Sequence, residues 1–94
     1  MGGAIYDSVG SLSLSNSTLS DNTASPGYGP AIYMTNQAST VTVTGCTLTD
    51  NNLNDFDLIV VDGGTLTVTN SYFHSANHTY IYGPYIDGGG NTFA

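Results

Sequence analysis

The sequence predicts an all-β fold, a parallel solenoid of about three to four rungs. One phrase recurs along the chain: "SLSLSNSTLSDN" at 11–22, "TVTVTGCTLTDN" at 40–51 and "TLTVTNSYFHSA" at 65–76. Recurrence at a few tens of residues marks repeat architectures. Within each copy apolar and polar residues alternate with period two, the signature of a half-buried strand, and Gly, Asn or Asp punctuates the breaks. Helical spacing appears nowhere.

The units follow in order. The first is "GGAIYDSVGSLSLSNSTLSDNTAS" (2–25), the second covers 29–54 and the third 56–79. A shorter partial unit, "YIYGPYIDGGGNTFA" (80–94), keeps only the ending. Ile5, Ile32 and Ile59 fall in one column. Leu12, Val41 and Leu66 form a second, and Leu14, Val43 and Val68 a third. Leu19, Leu48 and Phe73 form the last, which Phe93 extends. Aligned stacking of such units sets like on like, with rungs ~4.8 Å apart and each strand hydrogen-bonded to its copies above and below. Asn16, Gly45 and Asn70 occupy the corner after the longest strand, where a positive φ suits these residue types. In a β-sandwich the internal repetition would be a coincidence.

The chain has 94 residues, seven acidic side chains and no Lys or Arg, for a net charge of −7. That length supports one domain, a single solenoid over 1–94 without a large central core. Nucleic acid is excluded as a partner, because counterion release needs cations on the protein. Anionic membranes and polyuronates are disfavoured for the same reason. No apolar run reaches the ~20 residues of a membrane helix, so membrane insertion is not expected. Met1 is followed directly by "GGAIYD" without a basic leader, so the chain is expected to be either processed or an excerpt of something longer.

"GGAI" (2–5) and "GPAI" (29–32), followed by "LSDN" (19–22) and "LTDN" (48–51), resemble the repeats of chlamydial polymorphic outer membrane proteins. More broadly they are similar to the right-handed parallel β-helices of the pectate-lyase-like superfamily, adhesin and autotransporter passengers included. The resemblance implies a right-handed parallel β-helix and a structural role for the rungs. Leu replaces the family's Phe in two rungs, and "FHSA" (73–76) lacks the Asn.

Several residues are candidates for more than packing. Asn22 and Asn51 would stack as a ladder that satisfies buried turn groups. Cys46 falls level with Ser17 and Ser71, an interior position for small residues, and has no visible base to activate it. Asp21 and Asp50 align on neighbouring rungs, about the separation of a retaining glycosidase pair. Aligned Asp is equally an ordinary turn choice, and no cation is present to bind a polyuronate. Asp55, Asp57 and Asp62 are the densest acidic patch and a weak candidate for Ca²⁺, whose ligands are oxygens; no other cofactor is implied. His74 and His78 lack a third ligand for zinc.

Ser11, Ser13 and Ser15, Thr40, Thr42 and Thr44, and Thr65, Thr67 and Thr69 form an outward three-by-three hydroxyl grid. It resembles the ice-binding face of insect-type antifreeze solenoids, although Thr is favoured on the solvent side of any strand. "NST" at Asn16 and "NHT" at Asn77 are N-glycosylation sequons.

The functional expectation is an extracellular or cell-surface structural protein without catalysis. Open strand edges invite pairing unless blunted by Lys, Pro or a cap. Head-to-tail self-association into a filament is therefore expected, or else a place within a longer adhesin passenger, with glycans as further partners. A carbohydrate-active enzyme and an ice-binding solenoid are the rivals.

Overall fold

The computed structural model describes residues 5–21, 31–50 and 57–94. Among the described residues twelve strands wind through four turns of a coil, three strands to a turn. The first turn holds β1 (Ile5–Asp7), β2 (Ser11–Ser15) and β3 (Thr18–Ser20). The second holds β4 (Ile32–Met34), β5 (Thr40–Thr44) and β6 (Thr47–Asp50). The third holds β7 (Ile59–Val61), β8 (Thr65–Thr69) and β9 (Tyr72–Ser75). The fourth holds β10 (Ile81–Tyr82), β11 (Ile86–Asp87) and β12 (Thr92–Phe93). The last unit is therefore a full rung with short strands, where the sequence suggested a fragment. "GPYIDGGGN" holds few apolar residues, but its backbone still pairs with the rung above.

Like strands stack into three parallel sheets: β1-β4-β7-β10, β2-β5-β8-β11 and β3-β6-β9-β12. Their register follows the sequence columns. Ile5 pairs with Ile32 and Ile32 with Ile59; Leu12 with Val41 and Val41 with Leu66; Leu14 with Val43 and Val43 with Val68. Leu19, Leu48, Phe73 and Phe93 complete the third sheet's column. A one-residue slip would turn each column toward water, which is why period-two burial fixes the register.

The core is the inside of the coil, and its burial is graded. Ile32, Val41, Val43, Leu48, Ile59, Leu66, Val68 and Phe73 are all 0% exposed. Their counterparts in the outer rungs, Ile5, Leu12, Leu14, Leu19, Ile81 and Phe93, are only partly buried. A fully buried Val, Leu or Phe is worth about 1.5–3 kcal/mol, so the two middle rungs supply most of the apolar stabilisation.

Two of the three corners of a turn lie wholly within the described residues. The corner between the second and third sheets needs one left-handed residue: Asn16 (φ 50°), Gly45 (φ 62°) and Asn70 (φ 49°), as expected, with Gly90 (φ 73°) in the fourth rung. Asn and Gly alternate here for a steric reason. A Cβ on Gly45 would lie 2.6 Å from Asn16 Oδ1, and one on Gly90 would collide with Asn70 Oδ1. The corner between the first two sheets relies on Gly64 (φ 94°), whose Cβ would meet the carbonyl oxygen of Ser39 at 2.5 Å.

Candidate functional site

Behind the left-handed corner lies a column of small polar residues that ties the rungs together. Ser17 Oγ donates to the Ser15 carbonyl at 2.9 Å, and Ser71 Oγ to the Thr69 carbonyl at 2.9 Å. Cys46 takes the same role, its Sγ 3.4 Å from the Thr44 carbonyl. The Cys46 amide donates to Ser71 Oγ, and the Ser71 amide to Asn91 Oδ1. Cys46 is 3% exposed. It is a free thiol buried in the coil.

Asp21 and Asp50 do stand level, since Ser20 pairs with Thr49 one residue earlier. Their environments differ. Asp21 is exposed with φ 53°, whereas Asp50 ends β6 and is 2% exposed. A glycosidase pair needs both carboxyls facing one substrate, and this pair does not offer that. Asn22, Asn51 and Asp55 lie outside the described residues.

Asp57 and Asp62 are not brought together. The strand Ile59–Val61 runs between them, and at ~3.3 Å per residue it holds them more than about 10 Å apart, too far to share one Ca²⁺. Burial pushes the Asp57 carboxyl above its ordinary 3.8, with a backbone hydrogen bond opposing. A raised folded value favours the protonated folded state. That contribution is fully present below about pH 3.8 and is lost as pH rises through the raised value. Asp57→Asn should therefore raise the melting temperature at pH 7 and leave it unchanged below pH 3. Asp62→Asn, at an exposed position, should do less at pH 7 in the same thermal melts.

His74 and His78 serve local contacts. His74 Nδ1–H donates to the Ala94 carbonyl at 3.0 Å, and His78 Nδ1 lies 3.3 Å from Tyr80 Oη. No group of three His, Cys, Asp or Glu that could hold a metal is found among the described residues. Of the sequons, Asn16 is exposed and Asn77 half-buried.

The hydroxyl grid forms as read: Ser11, Ser13 and Ser15 pair with Thr40, Thr42 and Thr44, which pair with Thr65, Thr67 and Thr69. In the fourth rung Ile86 pairs with Thr67 and is 54% exposed on that face. The next residue, Asp87, pairs with Val68 and is exposed. Asp87 Oδ1 accepts from Gly89 N at 2.9 Å and Asn91 Nδ2 at 2.7 Å. At the opposite end Asp7 pairs with Met34 in an inward column, and its Oδ2 is buried without a hydrogen-bond partner among the described residues.

Sequence reading missed these two aspartates, which stand at the register of Met34 and Val68. It also missed the outward column of the first sheet: Tyr6, Tyr33, Val60 and Tyr82. The signal was present, because Tyr follows Ile in "AIYD", "AIYM" and "YIYG". The Tyr6 and Tyr33 rings are 5.9 Å apart. Beyond them a recess of about 310 Å³ is lined by Tyr33, Val60, Asp62 and Tyr82.

The model of the right handed beta helix region matches residues 6–94. No curated protein and no solved structure matches the chain. With the match spanning nearly every residue and three parallel sheets stacked through four rungs, the chain belongs to the right-handed β-helix family.

Proposed function

We propose that this protein is a non-catalytic extracellular structural solenoid whose rungs continue end to end, copy upon copy, into a fibre. The observation that carries the reading is the graded core. The ladder residues that are sealed in the middle rungs are half-open in the first and last ones. Strand edges β1, β2 and β3 face one way and β10, β11 and β12 the other, and stacking a second copy would extend each ladder by another ~4.8 Å step. A recess of about 170 Å³ lies beside Leu66, Tyr85 and Ile86, in the last two rungs. The heterologous geometry is open, so it grows rather than closes.

Two features oppose growth and set its conditions. Asp7 and Asp87 stand at the register of buried Met34 and Val68 at the two ends, and charged residues on edge strands restrain edge pairing. The charge of −7 per chain repels neighbouring copies, and salt screens it beyond about 8 Å at physiological strength. Sedimentation velocity should therefore show species that lengthen with protein concentration and with salt. Gly10 and Asn16 bond to the neighbouring β5 side, so the odd residues of β2 face the open edge. Ser13→Pro deletes a donor at the seam and should return short species. A wild-type chain that stays a folded monomer at high concentration and high salt would overturn the fibre and favour a segment within a longer surface passenger.

A further inference from the structure

The recess on the first sheet owes its existence to one small residue. Tyr33, Val60 and Tyr82 are successive members of one outward column, and Val60 leaves a gap where a third ring would stand. Two rung steps put the tyrosines roughly 9.6 Å apart. A group midway is then roughly 5 Å from each ring, inside the ~6 Å reach of a cation–π contact. Asp62 lies just past the end of β7 and lines the recess with the two rings. Val60 is 6% exposed and forms an apolar floor, while Tyr82 is 64% exposed.

Around the apolar Val60 the lining is thus two tyrosine rings and a carboxylate. The chain carries no Lys or Arg to neutralise Asp62 and a net charge of −7 that draws cations toward it. We propose that this recess binds a lysine or arginine side chain from a basic segment of a partner protein. The alkyl stem lies on Val60, the charged head sits between Tyr33 and Tyr82, and Asp62 is its counter-ion. A neutral sugar could stack on the same rings but would gain nothing from the carboxylate or the net charge. The site is on the flank of the coil, so it does not depend on end-to-end assembly.

The test is calorimetric titration with a blocked pentapeptide carrying two arginines among glycines, at low protein concentration and moderate salt. Tyr82→Ala and Asp62→Asn should each weaken binding about fivefold or more. Asp21→Asn removes the same charge elsewhere, at a left-handed position that Asn tolerates, and should change binding less than twofold. Circular dichroism checks that each variant is folded. Absence of peptide binding, binding indifferent to Tyr82→Ala, or equal losses from Asp62→Asn and Asp21→Asn would overturn the site. So would a neutral oligosaccharide that displaces the peptide and still binds after Asp62→Asn, since the recess would then be a sugar platform.

Discussion

Val43→Asp should unfold the protein or come close to it, while Thr42→Asp, one residue away, should leave a cooperative melt near the wild-type temperature. Val43 is 0% exposed between Leu14 and Val68. A carboxylate there enters an apolar column, and the chain contains no Lys or Arg to pair with it. Burying a charge without a partner costs several kcal/mol even after relaxation. Domains of this size hold about 5–15 kcal/mol in total. Thr42 belongs to the outward grid, pairing with Ser13 and Thr67, where an added charge stays in water. Thermal melts of the two variants decide the register. Comparable losses would reject it.

Phe73→Ala should be the next most damaging change, at about 3–5 kcal/mol. Phe73 heads the fully buried side chains, at 0% exposed. It stacks on Phe93 with ring centroids 5.0 Å apart and planes 11° from parallel. Phe93 in turn touches Tyr80 and Tyr85, at 5.4 and 6.3 Å. Truncation at residue 73 therefore opens a cavity and also loosens the last rung. The loss in melting temperature should exceed about 12 °C. Phe73→Leu should cost less than about 1.5 kcal/mol, because Leu48 and Leu19 already fill the same column in the rungs above. Calorimetry on the pair separates volume from position: equal losses would show that the column does not run through residue 73.

The fold was legible because one sequence phrase occurs three times. Period-two alternation assigns each side chain to a face, and repetition then assigns each face to a column; the parallel register of Leu14, Val43 and Val68 needs nothing more. The corner residues were legible for an equally local reason, since Asn16, Gly45 and Asn70 are the types that accept a positive φ. Legibility failed where a column changes its chemistry. Asp87 stands below Val68 and Asp7 against Met34, positions that alternation labels apolar. Proximity along the chain also misled. Asp57 and Asp62 are only five residues apart in sequence, but the strand between them is extended and holds them apart. The tyrosine recess was hidden because its defining residue is Val60, the one member of the column that lacks a ring.

The proposed fibre rests on a core sealed in the middle rungs and only partly buried in the outer ones. Amide hydrogen exchange across a protein concentration series at high salt tests it most directly. At low concentration β5, β6, β8 and β9 should be the slowest to exchange, with β2, β3, β11 and β12 much faster, since protection follows burial and local opening. As concentration rises, the outer strands should slow toward the rate of the inner ones while the inner ones hold constant. Outer strands as protected as the core at every concentration, or fast at every concentration, would contradict the account.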